Sequence, residues 1–283
     1  MHTVTDIIVK AVHPEFIFLL GSSWEQQRSV SIFASMPATH QQVTHYDLLV
    51  IVPVEERRSV DEICDIIENR CRVHAVVTAI VFPVDRFLHL LEAGHPFCCE
   101  VVRVAKQWHD AGNIPLPEPP VCNASELLLQ AQHAFARWIG MADEFLAGAG
   151  FYCSRKQFAM AAFMLHQVVE RCYVGLMLVM TGYRPGTHNL DKLSRYVRVF
   201  SASLSMIFPR NSTKEENLFQ LLQKAYIHTR YKDDYVITGH DAGTLLSRAE
   251  QLLEVVKGLC KEKINALMSR HVVPELVLIG RAV

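Results

Sequence analysis

The chain has 283 residues, half of them hydrophobic, and its 28 lysines and arginines nearly balance 29 aspartates and glutamates. This length predicts two domains of ordinary size. The balanced charge excludes a general electrostatic footprint for nucleic acid or membrane, so any such binding must be local. The eight cysteines are irregularly spaced, two of them are adjacent (Cys98 and Cys99), and no signal peptide opens the chain. We therefore expect reduced thiols and a cytoplasmic protein.

Residues 1–112 alternate between strand and helix patterns. Strands are expected at 15–20, 46–53 and 73–82, and helices at 6–11, 60–71, 84–93 and 97–111. Ser59 followed by Glu62 has the spacing of a capping box, which marks the start of the second of these helices. This alternation is typical of an α/β or mixed domain.

The proline-rich segment 113–122 predicts a linker, because prolines disfavour both helix and central strand. Beyond it the pattern is helical, which predicts an all-α antiparallel bundle at 123–271. Its helices are expected at 124–147, 155–181, 189–202, 214–230 and 241–270. Asn123, Ser154 and Thr213 are each followed three residues later by Glu or Gln, as at helix starts. The tail 272–283 is either a separate strand or an interface segment.

The most apolar long run, 158–180, is interrupted by His166, Gln167, Glu170 and Arg171. Because this many polar groups are costly in hydrocarbon, the run predicts a buried helix and no membrane span. His166 and Glu170 lie four residues apart and therefore share one helix face. Taken alone, such a histidine is more often a satisfied core residue than a ligand-binding one.

Gly21 and Ser22 follow the first long strand, and Asp47 lies near the start of the next. A glycine lets backbone N–H groups approach phosphate, and carboxylates on neighbouring strands hold magnesium. This arrangement resembles the nucleotidyltransferase superfamily, in which Gly-Ser precedes a strand with two aspartates. Here His45 stands at the first aspartate, and the following strand contains no acid. The resemblance therefore implies a nucleotidyltransferase-like domain that is catalytically degenerate, with Mg²⁺ bound only if it is active.

A dense set of charges and tyrosines, 225–235, ends the helix expected at 214–230. Tyr226 and Arg230 are four residues apart and share a face. An arginine carries a permanent charge and a planar fork of donors, which suits phosphate. The plainer interpretation is a solvated, charged helix end.

Three motifs occur in order. They are Leu165-His166-Gln167-x-x-Glu170, Thr181-Gly182-Tyr183-x-Pro185-x-Thr187-His188-x-Leu190, and Ala225-Tyr226-x-x-x-Arg230-Tyr231-x-x-Asp234-Tyr235. Together they resemble the HEPN family, the higher eukaryotes and prokaryotes nucleotide-binding domain. The resemblance covers 123–270, and a HEPN bundle after a small nucleotidyltransferase domain is a known pairing.

The HEPN resemblance implies two possible activities. Many members are metal-independent ribonucleases in which an arginine is followed, after four to six residues, by a histidine. Here Tyr235 stands after Arg230 and four intervening residues, and His240 lies beyond the permitted gap, so cleavage is not expected. Other members bind nucleotides and dimerise through the bundle.

By analogy with the nucleotide-binding members, each predicted site residue has a role. Arg230 and Lys232 contact phosphate, Tyr231 or Tyr235 stacks on a base, and the pocket is shaped by His166, Glu170 and His188. We therefore expect a cytoplasmic homodimer that binds nucleotide or RNA. The alternatives are an active transferase using Asp47, a ribonuclease using Arg230, or a protein-interaction module. A further group, His89, His95, Cys98, Cys99 and His109, has no zinc-site spacing, and no metal site is expected.

Overall fold

A computed structural model describes the backbone of residues 2–29, 39–231 and 235–279, with side chains at 3–23, 45–231 and 235–269. The chain forms two compact units, Met1–Cys122 and Asn123–Val283.

The described residues of the first unit form four helices and four strands. In chain order they are α1 (His2–Val12), β1 (Phe16–Ser29), β2 (Thr39–Val52), α2 (Val60–Cys71), β3 (Val76–Pro83), α3 (Val84–Glu92), α4 (Pro96–Val104) and β4 (Lys106–Asp110). The strands form one sheet in the order β3-β2-β1-β4. β2 and β3 are parallel, whereas β1 is antiparallel to both of its neighbours. The expected α/β fold class is confirmed.

The sheet buries apolar side chains on both faces, as expected when helices cover both sides. On one face Ile17, Leu48 and Val50 belong to a buried cluster that also includes residues of α1 and α2. On the other face Phe18 contacts Phe87 of α3, with ring centroids 6.3 Å apart. The capping box that begins α2 forms as predicted, since the Ser59 side chain accepts from Glu62 N and the Glu62 side chain accepts from the Ser59 backbone.

The helix predicted at 97–111 is wrong beyond Val104. Ala105 is extended, with φ of −71° and ψ of 141°, and β4 follows it. β4 pairs with Phe16–Leu19 of β1, which would otherwise present unpaired N–H and C=O groups at the edge of the sheet. Trp108 also packs edge-on against Tyr46, with centroids 5.0 Å apart. Tertiary pairing therefore overrides the local helical pattern.

The second unit is helical, as predicted. It consists of α5 (Ala124–Ala134), a π-helical turn (Phe135–Ile139), α6 (Gly140–Ser154), α7 (Phe158–Thr181), α8 (Leu190–Val197), α9 (Ala202–Ile207), α10 (Thr213–Tyr231) and α11 (Gly239–Ile279). α7 lies at the centre, and most of its residues are buried. α11 continues through 272–279, so the strand considered for this part of the tail does not form.

Helix α7 is long and apolar enough to cross a membrane by length and composition alone. However, 72% of its most apolar 18-residue window is buried inside the protein. This is the environment of a core helix, in which the surrounding helices replace water around the apolar side chains.

The predicted helix ends differ in their accuracy. Asn123 caps α5 by accepting from Ser125 N, and Gly182 ends α7 in the left-handed region with φ of 78°, both as predicted. Ser154 is not the N-cap of α7, because its hydroxyl donates to Phe151 O at the end of α6. The chain turns at Lys156, whose φ is 58°. Helix α6 therefore extends beyond residue 147, the predicted end.

Candidate functional site

Three buried polar side chains, His166, Gln167 and Glu170, lie on the central helix α7. Gln167 Nε2 donates to Glu170 Oε2 over 3.3 Å and lies 3.3 Å from His166 Nδ1. Glu170 Oε2 is 3.8 Å from the same His166 nitrogen. Buried polar groups are costly without partners, so this network allows polar residues to occupy a core helix.

Glu170 connects the buried network to the surface. Its carboxylate is only 3% exposed, and Oε1 lies 3.1 Å from Nδ1 of His188, whose side chain is 57% exposed. The same oxygen is 3.7 Å from Nη1 of Arg171. A buried carboxylate beside a guanidinium and an imidazole nitrogen is paired rather than isolated. The structure thus brings together His166, Glu170 and His188, three of the predicted site residues.

Tyr226 of α10 is the central ring of the site. It stacks with His166 at a centroid distance of 5.0 Å and with His188 at 4.9 Å. The Arg230 guanidinium carbon lies 4.2 Å from the same ring centroid. The sequence placed Tyr226 and Arg230 on one helix face, but the predicted site did not include Tyr226. Its four-residue spacing from Arg230 was the available signal.

Arg230 is exposed and held in place by α10 itself. Its Nε donates to Tyr226 O over 2.8 Å, and its guanidinium also lies over the Tyr231 and Phe163 rings, at 5.1 and 5.7 Å. No carboxylate in the described part of the chain forms an ion pair with it. Stacking and one hydrogen bond orient the cation, and a guanidinium has further N–H donors that suit an anion. Lys232 lies outside the described residues.

The two tyrosines predicted to stack on a base have different environments. Tyr231 is 74% exposed. Tyr235 instead donates its hydroxyl to Leu221 O over 2.9 Å and packs against the core. Burial raises the pKa of Tyr235 above its ordinary value. Tyr231 is therefore available to a ligand, whereas Tyr235 anchors the segment that follows α10.

His166 is held in its neutral form. Burial lowers its pKa to about 3, and the positive potentials of His188, Arg230 and Arg171 act in the same direction, while the His188 backbone opposes them. At neutral pH this ring is an uncharged stacking partner for Tyr226. It therefore contributes shape to the site, and the positive charge comes from the arginines.

The loop between α7 and α8 is anchored at both ends. At its start, the Thr181 hydroxyl donates to Met177 O over 2.7 Å and accepts from Tyr183 N over 3.0 Å. At its end, Leu190 N donates to Gln223 Oε1 of α10 over 2.8 Å. These bonds position His188 against Tyr226, as a loop held by a rigid scaffold can do.

The π-helical turn contributes a second aromatic residue that the sequence interpretation missed. The guanidinium carbons of Arg171 and Arg184 lie 4.9 and 5.1 Å from the Trp138 ring. Gly175 of α7 permits this packing, because a Cβ there would approach Trp138 Cβ and Ile139 Cδ1 to 2.9 Å. Trp138 was missed because sequence periodicity does not reveal the single π-helical turn that positions it.

In the first unit, the sheet register sets the predicted transferase residues side by side. Gly21 pairs with Asp47, and Ser23 pairs with His45, after a register shift between Leu19 and Gly21. Ser22 is exposed and pairs with Tyr46. On the other side of Asp47 the parallel neighbour is Thr78 of β3, whose buried hydroxyl has no hydrogen-bond partner among the described side chains.

These residues do not fit a magnesium site of the two-metal type. Asp47 has Gly21 and Thr78 as its sheet neighbours, and neither supplies a carboxylate. Hard divalent cations require several oxygen ligands, with carboxylates to offset their charge. Within the described ranges, no group of three or more His, Cys, Asp or Glu side chains is placed to hold a metal ion.

Comparisons with known proteins identify the helical unit. Residues 135–259 match the HEPN domain family. An archaeal HEPN homologue of known structure is 24% identical and has a TM-score of 0.31, covering 44% of this chain and 94% of that chain. The protein TT1696 from Thermus thermophilus is 23% identical with a TM-score of 0.27, covering 50% and 97%. A search of curated proteins gave no match. The match at 135–259 agrees with the HEPN resemblance that the three motifs predicted.

Proposed function

With a HEPN domain at 135–259, we propose that this protein binds phosphate groups of a nucleotide or RNA at the surface around Tyr226. The observation that carries the proposal is the exposed Arg230, which is stacked on Tyr226 beside His188. Its orientation is fixed before any ligand arrives, which lowers the entropic cost of binding. We place this activity in the cytoplasm.

The chemistry of the site favours an anion. Arg230 supplies a permanent positive charge with a planar set of donors, and His188 adds a partly exposed imidazole. Glu170 lies beneath them, but it is buried and already paired with Arg171 and His188. The exposed Tyr231 ring offers a face on which a base can stack.

Calorimetric titration with ATP, GTP and a short single-stranded RNA tests the proposal. We expect binding of at least one ligand and a loss of about 10-fold or more in affinity for Arg230→Ala, because a charge-assisted hydrogen bond is removed. Arg155→Ala is the matched control, since Arg155 is also exposed and lies 5.4 Å from an aromatic ring centroid, that of Phe151. Absence of heat with every ligand, or an equal loss in the control, contradicts the proposal.

We propose that ribonuclease activity is absent. Tyr235 stands where the ribonuclease members carry histidine, and its hydroxyl is bonded to Leu221 O with a raised pKa. A group that holds its proton this firmly is a poor acid or base at neutral pH. Cleavage of RNA that is abolished by Arg230→Ala would overturn this part of the proposal.

We also propose that the protein is a homodimer through its helical unit and that its first unit is a nucleotidyltransferase-like domain without transferase activity. The dimer is implied by the HEPN resemblance. The inactivity is supported by Asp47, whose sheet neighbours Gly21 and Thr78 lack carboxylates. Light scattering that finds only monomer at micromolar concentration contradicts the dimer.

A further inference from the structure

Trp138 and its two arginines form a second cationic position beside the Tyr226 site. Arg184 is exposed and stacked on Trp138, and Arg171 lies against the same ring. Among the residues that the structure describes, no carboxylate pairs with Arg184. An exposed guanidinium that is ordered by stacking and lacks an ion-pair partner resembles Arg230 in both respects.

The two positions are directly connected. One oxygen of Glu170 contacts both Nδ1 of His188, at 3.1 Å, and Nη1 of Arg171, at 3.7 Å. Arg171 in turn lies 4.9 Å from the Trp138 ring. Only one carboxylate and one guanidinium therefore separate the His188 imidazole from the ring on which Arg184 stacks.

The anchored loop between α7 and α8 carries one residue of each position. Arg184 and His188 are four residues apart, and both are exposed. Pro185 between them is buried, and the hydrogen bonds at Thr181 and Leu190 hold the two ends of the loop. The loop thus carries Arg184 and His188 on a backbone segment that is held at both ends.

Positive charge exceeds negative charge around the two positions. Arg171, Arg184 and Arg230 supply three permanent positive charges, whereas Glu170 is the one carboxylate among the described residues that pairs with any of them. One bound phosphate at Arg230 would leave Arg184 without a counter-charge. A ligand with a second anionic group would satisfy both positions.

We propose that Arg184, stacked on Trp138, forms a second anion subsite, so that the ligand of this HEPN domain carries at least two linked phosphates. The inference rests on the proposed function. Two classes of ligand carry linked phosphates, namely nucleoside polyphosphates and nucleic acid strands. Arg184 binds the second phosphate, and the permanent charge of Arg171 adds positive potential at this subsite.

The test compares three probes, namely AMP, ATP and a 5′-phosphorylated trinucleotide of adenosine, by titration against the full chain. Arg184→Ala is expected to weaken ATP or the trinucleotide by about 3- to 10-fold, as for one lost charge-assisted contact. AMP is expected to change by less than about twofold, because one phosphate is already satisfied at Arg230. Arg184→Lys, which keeps the charge but not the planar fork, is expected to recover part of the loss.

The outcomes separate the two classes of ligand and the two hypotheses. A loss confined to the trinucleotide identifies a nucleic acid strand, and a loss confined to ATP identifies a polyphosphate chain. If ATP or the trinucleotide binds the wild-type protein but Arg184→Ala matches the Arg155→Ala control, the second subsite is refuted while the proposed function stands. If none of these probes binds and GTP does not bind either, the proposed function itself fails. Arg184 is exposed, and a circular dichroism melt of each variant checks that the fold is retained.

Discussion

The two units present their predicted site residues in different ways. In the first unit Gly21, Asp47 and Thr78 lie in one row across three strands, so backbone register alone sets their spacing. In the second unit Tyr226 collects side chains from α7, from the following loop and from α10. The sheet row contains one carboxylate, whereas the helical site contains several oriented polar groups.

This difference explains why the transferase-like motif of the first unit says less about function than the HEPN motifs of the second unit. A row on a sheet keeps its geometry whichever side chains it carries, because the hydrogen-bonded ladder does not depend on them. A site built from three helical segments requires its own side chains to hold it together. The geometry of the site therefore depends on Glu170 and Tyr226, and their loss would alter it directly.

The largest effect is expected at the buried His166. Its pKa is lowered to about 3 in the folded state, against an ordinary value near 6.5 in the unfolded chain. Its contribution to stability is complete above pH 6.5 and is lost as the pH falls towards 3, by about 1.4 kcal/mol per pH unit. Chemical denaturation of wild type and His166→Gln between pH 7 and pH 4 should show a shallower decline in the variant.

The control for this measurement is His133→Gln, which replaces an exposed histidine of α5. It should leave the pH dependence of the wild-type protein unchanged. A wild-type slope that His166→Gln reproduces would show that this histidine is not held neutral by the fold.

The next effect concerns the close approach under Trp138. Gly175→Val should destabilise the protein by about 1–3 kcal/mol, because side-chain atoms of the substituted residue would overlap Trp138 and Ile139. Gly258→Val is the matched control, since a Cβ at Gly258 in α11 meets nothing within 4 Å. Denaturant midpoints distinguish the two. Equal midpoints would mean that the π-helical turn readily moves away from α7.

A smaller effect, on ligand affinity, is expected when one histidine from each unit is replaced. His188→Ala should weaken nucleotide or RNA binding by about 3- to 10-fold, because it removes a donor and a ring stacked on Tyr226. His45→Ala in the first unit should leave the affinity unchanged. Titration of both variants with the same ligand makes the comparison, and a larger loss for His45→Ala would move the binding site to the sheet.

The smallest effect is expected for Asp47→Asn. Incubation with labelled nucleoside triphosphate and magnesium should give no transfer in either the wild type or the variant, since a single carboxylate is a poor two-metal site. Strong labelling that is lost in Asp47→Asn would show that the first unit is an active transferase.

Much of the fold was predictable because local signals were strong. Asn123 and Gly182 marked helix ends correctly, since capping depends on neighbouring residues. The helix expected at 97–111 failed after Val104, because its last residues complete the edge of a sheet whose other strands lie far away in sequence. Local pattern does not contain that information.

The candidate site was likewise predictable in part, where local sequence signals were strong. His166, Glu170, His188 and Arg230 were identified from their motifs, and the structure brings them to one place. Tyr235 was assigned to the same group, but its hydroxyl bonds Leu221 O instead. Trp138 was missed, because its stacking on two arginines depends on a π-helical turn and on the close approach of Gly175.

By itself, the amino-acid sequence determined the α/β and helical units, the HEPN motifs and the absence of a histidine at the ribonuclease position. These features depend on residue type and short spacing. Only the tertiary structure decided that Tyr226 is the central ring, that Tyr231 is exposed while Tyr235 is anchored, and that Arg184 lies beside the site on Trp138. Such contacts join residues distant in sequence, and packing rather than local propensity selects them.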